Sequence, residues 1–253
     1  TERGIGNGIS LLIFAGIVSR LPVDFRSALL TFDPSQVPAY LAFVLVSVVV
    51  VAGVVIISEG QRNIPVSYAK RIRGNRVFGG VETHLPLRVN QAGVIPIIFA
   101  ISIILFPGLI GNFLATVPNA TVQAVSHFLI TLLNNQWLYG ALYFLLVFVF
   151  TYFYTAVTFD PQAIATNVQK QGGFILGLRP GRPTAEFLHR VLNRVTLFGA
   201  LFLGAIAILP LAVQSGFGIS ALTLGGTSLL IVVSVVLETL KQIQAQVVMH
   251  EYE

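Results

Sequence analysis

The stretch Leu85-Pro-Leu-Arg-Val-Asn-Gln-Ala-Gly-Val-Ile-Pro-Ile-Ile-Phe-Ala-Ile-Ser-Ile-Ile-Leu-Phe-Pro107 decides the fold of this chain. A basic polar segment ends at Arg88, and no Asp, Glu, Lys or Arg follows until Asp160. A soluble fold does not leave about seventy residues uncharged, whereas a bilayer selects for such a stretch. Pro96 and Pro107 each remove a backbone hydrogen bond, so the sequence predicts a transmembrane helix bent at both prolines. Such breaks are tolerated beside other helices or a water-filled cavity, which indicates a face turned away from lipid.

The composition is that of an integral membrane protein. Hydrophobic residues make up 55% of the chain and charged residues 10%, and the mean hydropathy is +0.84. A soluble domain carries roughly a quarter charged residues, and a chain of 253 residues has room for about six spans. The absence of cysteine excludes disulfides and thiolate metal sites. Because the only methionine is Met249, we expect the chain to be a piece of a longer protein.

Six apolar segments are predicted to cross the membrane. Residues 39–58 form the clearest span, and residues 9–21 form a short one that would cross only if tilted or set in a thinned region of the bilayer. The other spans are predicted at 94–109, at 137–157 with aromatic anchors, at 195–213 and at 222–237. The connections are predicted as a loop between Pro22 and Pro38, an interfacial segment at 122–133 and a helix at 184–195 that leads into the membrane.

Basic residues are concentrated in two long polar segments, 60–90 and 160–194, which hold eleven of the fifteen Lys and Arg. The segments 111–136 and 214–222 hold none, so the positive-inside rule predicts that both basic loops and both chain ends are cytoplasmic. Apolar pieces on either side of Gly74-Asn75 predict a β-hairpin in the first loop. The basic charge fits topology alone, or a docking surface for an anionic or RNA-containing partner.

No constellation of residues predicts catalysis. The four histidines lie far apart in the sequence, no phosphate loop is present, and no predicted span has a central ionisable residue that would indicate coupled transport. The sequence therefore predicts a protein that is not an enzyme and that carries no metal or cofactor.

One row of side chains on the bent helix has spacing i, i+4 and fits either plain packing or a pore lining. The row consists of Val94, Ile98, Ser102, Phe106 and Ile110. The Ser102 hydroxyl is expected to bond back to a carbonyl of the preceding turn, so it does not distinguish the two interpretations.

Five motifs are distributed along nearly the whole chain. They are Arg3-Gly-Ile-Gly-Asn-Gly-Ile-Ser-Leu-Leu-Ile-Phe-Ala-Gly-Ile-Val18, Tyr68-Ala-Lys-Arg71, His84-Leu-Pro-Leu-Arg-Val-Asn-Gln-Ala-Gly-Val-Ile-Pro96, Gly177-Leu-Arg-Pro-Gly181 and Gly225-Gly-Thr-Ser-Leu-Leu-Ile-Val-Val233. In content and order they resemble the SecY family, the central subunit of the protein-conducting channel.

The resemblance implies an all-α polytopic membrane protein with about six transmembrane helices. These would be helices five to ten, the second half of a ten-helix pseudo-symmetric clamshell. Residues 1–36 would form the last helix and hinge region of the N-terminal half. Residues 37–253 would form the C-terminal half, with five transmembrane helices and the two basic cytoplasmic loops. The implied location is the cell inner (plasma) membrane.

The implied function is that of a pore-forming subunit that passes unfolded polypeptides and releases hydrophobic segments laterally into lipid. The resemblance implies a pore ring of Ile13, Ile98 and Ile231, where a slip of one residue would substitute Leu230. It implies a lateral gate helix with Val94, Ser102, Phe106 and Ile110. It implies docking of the ribosome or motor through Lys70, Arg71, Arg73, Arg76 and Arg179.

The implied partners are the SecE and SecG subunits, the SecA motor ATPase or the ribosome, signal sequences and nascent polypeptides, membrane lipid, and the remainder of the SecY chain. A different class, a secondary transporter with broken helices, would need a substrate or ion site at the membrane midplane. The lack of intramembrane charge counts against that class.

The orientation predicts opposite accessibility for two loop positions. Single cysteines replacing Asn75 and Asn119 in the full-length protein should react with an impermeant maleimide from opposite sides of the membrane. Labelling of both from one side would overturn the assignment, because it rests on the placement of basic residues alone.

Overall fold

The computed structural model describes residues 8–30, 34–68, 71–73, 76–78, 82–217, 231–237, 239–240, 243–244 and 247. Its helices are α1 (Gly8–Leu30), α2 (Val37–Glu59), α3 (Ile95–Leu114), α4 (Ala120–Asn134), α5 (Gln136–Thr158), α6 (Pro161–Lys170) and α7 (Arg182–Phe217). Its strands are β1 (Gln61–Tyr68), β2 (Arg71–Arg73), β3 (Arg76–Phe78), β4 (Glu82–Arg88) and β5 (Gly173–Ile175). Residues 231–237 are also helical.

Four helices in the described part of the chain are long and apolar enough to cross a membrane. They are Tyr40–Glu59, Ile95–Leu114, Gln136–Lys170 and Arg182–Leu209, of which the third runs from α5 into α6. The helices predicted at 39–58, 94–109, 137–157 and 184–213 are thus confirmed. The run predicted at 9–21 forms part of α1, and most of the span predicted at 222–237 lies outside the described residues.

Two predictions about prolines are wrong. Helix α1 continues to Leu30 with Pro22 inside it, where a loop was predicted, because a proline removes one hydrogen bond without ending an otherwise helical sequence. Pro96 lies in the first turn of α3, where its missing N–H would have had no intrahelical acceptor. Only Pro107 lies inside α3, so the predicted break at Pro96 is a helix start.

A buried apolar core joins the spanning helices α2, α3, α5 and α7. Its fully buried members include Val54, Ile97, Ile104, Val147 and Leu203. Helix α4 packs on the C-terminal end of α3, where the Ser126 hydroxyl donates a hydrogen bond to the Gly111 carbonyl oxygen over 2.7 Å. The predicted interfacial segment is therefore a helix, and its position at the interface stays a prediction.

The two basic loops form one small domain with a sheet, so the all-α class is too narrow. Strand β1 pairs antiparallel with β4 on one side and with β5 on the other. Strands β2 and β3 pair antiparallel, with Arg73 opposite Arg76, which confirms the predicted hairpin. The third strand, β5, comes from the second basic loop. The two loops were predicted as separate segments, without pairing between them.

This extramembrane domain, formed by β1, β4, β5, α6 and the start of α7, has its own hydrophobic core. Its buried members include Ile64, Leu87, Ala165, Ile175 and Leu188. Alternate residues of β1 point inward, as a sheet with one covered face requires. The described residues of the loops at 60–90 and 160–194 are therefore folded structure.

Helix α7 passes through both cores without interruption. Its 36 residues span about 54 Å, whereas the hydrocarbon part of a bilayer is about 30 Å thick. Leu188 lies in the core of the extramembrane domain, and Leu203 and Ile206 lie in the membrane core. This helix is therefore a continuous rod between the two parts.

A close backbone contact fixes the junction between them. The Val89 N–H donates to the Gly60 carbonyl oxygen over 2.8 Å, and the Val89 carbonyl lies directly against Gly199 of α7. A Cβ atom on Gly199 would lie 2.5 Å from that carbonyl oxygen, closer than van der Waals contact allows. Only glycine lets the segment between β4 and α3 cross α7 here.

Gly199→Ala should therefore destabilise the purified protein by about 1–3 kcal/mol, since the backbone at Val89 has to move. Gly140→Ala on α5 is the matched control, because its new methyl group would meet Leu211 at an ordinary 3.6 Å. We expect the control to stay within about 1 kcal/mol of the parent. Thermal unfolding in detergent measures both variants, and equal stability for them would contradict the close approach at Gly199.

Candidate functional site

The turn that carries Arg179 is built by its neighbours. The Thr184 hydroxyl, 2% exposed, donates to the Arg179 carbonyl oxygen over 2.9 Å, and the Leu178 N–H donates to the Ile175 carbonyl oxygen. Gly177 and Gly181 have φ angles of 82° and 99°, which other residues rarely adopt. The Arg179 side chain is thus exposed on an ordered turn four residues after the end of β5.

The hairpin carries three of the other four predicted docking residues. Arg71 and Arg73 lie on β2, Arg76 lies on β3, and Lys70 lies outside the described residues. Because β5 pairs with β1, the Arg179 turn and the base of this hairpin belong to one sheet. The structure therefore brings the two predicted docking regions into one domain.

The structure has a groove between α6 and α7 with a volume of about 1180 Å³, which was not predicted from the sequence. Its charged lining consists of Asp160, Arg182, Glu186, Arg190 and Arg194. The Asp160 carboxylate caps α6 and accepts from the N–H groups of residues 162 and 163 over 2.8 and 3.2 Å. Arg182 pairs with Glu186 over 3.2 Å on the exposed surface. The sequence feature that could have indicated this groove is the i, i+4 spacing of Arg190 and Arg194, just before the apolar part of α7.

The row on α3 runs from the membrane core to the surface. Val94 is buried and Ile98 is half-buried, while Phe106 and Ile110 are 62% and 39% exposed. The Ser102 hydroxyl donates to the Ile98 carbonyl oxygen over 2.7 Å, as predicted. The buried residues of α3, such as Ile97 and Ile104, lie on the face next to this row. Packing within the described chain therefore does not account for Phe106 and Ile110.

Two of the three predicted pore residues pack against one cluster. Ile98 of α3 and Ile231 are both half-buried at the edge of the membrane core. Ile13 lies half-buried on α1, and no described residue of that helix belongs to either core. The described residues therefore place Ile98 and Ile231 against the same core and leave Ile13 apart from it.

Among the described residues, no group of three or more His, Asp or Glu side chains is arranged to hold a metal ion. A bundle of apolar helices beneath a basic folded domain defines the class as a polytopic membrane protein.

The chain belongs to the SecY family, whose profile matches residues 1–240. It is 46% identical over 259 residues to the protein translocase subunit SecY of Mycobacterium leprae, a match that covers 100% of this chain and 58% of that protein. It is 45% identical over 253 residues to the corresponding subunit of Thermotoga maritima, a match that covers 100% of this chain and 56% of that protein.

Solved structures show the same fold. A SecY structure reported for the plug domain and the closed state of the translocation channel aligns with a TM-score of 0.61 at 20% identity, covering 96% of this chain and 60% of that one. The structure of a protein-conducting channel aligns with a TM-score of 0.59 at 20% identity, covering 96% and 59%. The chain thus spans less than two thirds of the length of these relatives.

Proposed function

We propose that this chain is a pore-forming part of a protein translocation channel that passes unfolded polypeptides and releases apolar segments laterally into lipid. The observation that carries the proposal is the family match over residues 1–240, together with relatives that are translocase subunits. The rival class, a secondary transporter, gains no support, because residues 89–159 contain no Asp, Glu, Lys or Arg for a midplane site.

The chain corresponds in this proposal to helices five to ten of a ten-helix channel. Residues 1–36 supply the last helix and hinge of the N-terminal half, and residues 37–253 supply the C-terminal half. The isolation of α1 from both cores supports a boundary near residue 36. The chain lies in the inner (plasma) membrane with both ends and both basic loops cytoplasmic, an orientation supported by the distribution of basic residues.

The constriction of the pore is assigned to Ile13, Ile98 and Ile231. Branched aliphatic side chains close around a passing chain without offering it hydrogen bonds, and an apolar constriction resists wetting when the pore is empty. The half-buried state of Ile98 and Ile231 supports this role, because each is anchored on one side and open on the other. The residues that would oppose them belong to the remainder of the SecY chain.

The lateral gate is assigned to the exposed part of the row on α3. Phe106 and Ile110 are apolar and uncovered, so they are available to the helices of the other half, to a signal sequence or to lipid. Val94 anchors the start of the row in the core, and Ser102 satisfies its own hydroxyl within the helix. A gate surface built in this way can exchange apolar partners without exposing a polar group.

Docking of the SecA motor or the ribosome is assigned to the extramembrane domain, with Arg179 on its ordered turn and Lys70, Arg71, Arg73 and Arg76 on the hairpin. Basic side chains on a rigid support suit the phosphates of RNA or an acidic protein surface. The folded core next to the Arg179 turn supports this role, because charge that served topology alone would need no ordered domain. Association with SecE and SecG belongs to the same proposal.

The pore assignment is tested by the neighbouring residues Ile97 and Ile98. Ile98→Asn should make the resting full-length channel leak ions, because a polar side chain lowers the cost of water at a hydrophobic gate. Ile97, which is 1% exposed, is the matched control. Ile97→Asn should bury an unsatisfied amide, which lowers the stability of the protein by about 1–3 kcal/mol, and should reduce accumulation without a leak. Bilayer conductance at matched protein amount measures both. An unchanged resting conductance for Ile98→Asn would overturn the assignment.

The docking assignment is tested by charge reversal at Arg179. Arg179→Glu should weaken binding of the motor or ribosome while the thermal stability of the channel stays unchanged, since the side chain is exposed. Arg182→Glu on the same surface is the comparison, because that guanidinium is already paired with Glu186. Loss of stability together with binding in Arg179→Glu would show that Arg179 is structural. Equal losses of binding in the two variants would indicate diffuse attraction.

A further inference from the structure

We infer that the groove between α6 and α7 binds the headgroup of an anionic phospholipid through Arg190 and Arg194, with an acyl chain lying along the apolar part of α7. The inference requires only that α5 and α7 cross the bilayer. It is therefore independent of the proposed function.

The charges of the groove leave these two arginines available. Glu186 is paired with Arg182, and one carboxylate oxygen of Asp160 accepts two backbone N–H groups at the start of α6. Arg190 and Arg194 are exposed, and within the described part of the chain neither forms an ion pair or hydrogen bond. Two guanidinium groups one helical turn apart can both reach one phosphate group.

The helix face beneath the arginines is apolar and uncovered. Leu197 and Leu201 follow Arg190 and Arg194 on the same face of α7, with the i, i+4, i+7, i+11 spacing of one stripe. They are 40% and 43% exposed, and the adjacent Phe198 is 68% exposed. Two positive groups above an apolar stripe match a phospholipid, which carries its negative phosphate directly above its acyl chains.

The depth of the groove favours lipid over a macromolecular partner. Arg194 directly precedes the apolar part of α7, and α6 begins three residues after α5 ends. The groove therefore lies where two spanning helices leave the membrane. Basic pockets at this level between spanning helices are suited to anionic headgroups. The Arg179 turn lies farther from the membrane along the chain, fifteen residues before Arg194.

The test uses the full-length channel in phosphatidylcholine nanodiscs that contain increasing fractions of a photoactivatable phosphatidylglycerol. Saturable crosslinking to residues 186–201, located by mass spectrometry, is expected for the parent. Each arginine near an anionic surface contributes a factor of about five in affinity, so Arg190→Gln/Arg194→Gln should raise the half-saturating fraction about thirtyfold.

Arg62→Gln/Arg88→Gln is the matched control, because it removes the same charge from exposed positions on the sheet of the same domain. We expect less than about a twofold change for it, as for a general surface potential. Melting temperatures in pure phosphatidylcholine check that all variants are folded. A variant that unfolds there is replaced by Arg190→Lys/Arg194→Lys, which should retain saturable labelling.

Three results would overturn the inference. One is unchanged labelling in the Arg190→Gln/Arg194→Gln variant, and another is an equal shift in the control. The third is full displacement of the lipid by soluble glycerol phosphate, which would indicate a site for free phosphate. Loss of motor or ribosome binding with unchanged labelling would assign the groove to a protein or RNA partner instead.

Discussion

The rest of the structure depends on the continuity of α7, which lies in two apolar environments at once. Its first turns complete the core of a small folded domain outside the membrane, and its later turns complete the core of the helix bundle. Half of its apolar segment is buried inside the chain, compared with 12% for α2. A rigid helix that is buried at both ends cannot tilt in one core without moving in the other. A displacement of the basic domain therefore also displaces the part of α7 that packs in the helix bundle.

Hydropathy and charge were sufficient to predict the four described helices that are long and apolar enough to cross a membrane, because the bilayer requires long uncharged stretches and the sequence supplies them. The errors in helix boundaries occurred at prolines, which can either break a helix or be accommodated in it. Pro96 and Pro22 were both taken as breaks, yet the first begins α3 and the second lies within α1. A proline's effect depends on whether its missing N–H would have been needed, which the helix boundary decides.

The sites were predictable to different degrees. The hairpin of β2 and β3 and the Ser102 hydrogen bond follow from local chemistry and were predicted. The pairing of β5 with β1 was not, because β5 has three residues and its partner lies far away in the sequence. The groove between α6 and α7 also escaped, because it exists only once the two helices pack. From the sequence alone, Arg190 cannot be distinguished from the basic residues that commonly flank a transmembrane helix. Its place in the groove is evident only from the packing of α6 against α7.

The sheet has a consequence for synthesis of the chain on the ribosome. Strand β4, one partner of β1, begins 14 residues after β1 ends, but β5, the partner on its other edge, emerges only about a hundred residues after β1. At usual elongation rates that interval lasts about 5–20 s. During it α3 and α5 must cross the bilayer and return, while one strand edge stays open to unwanted pairing. Because β5 has only three residues, the edge of β1 that remains unpaired until β5 is synthesised is short, from Val66 to Tyr68.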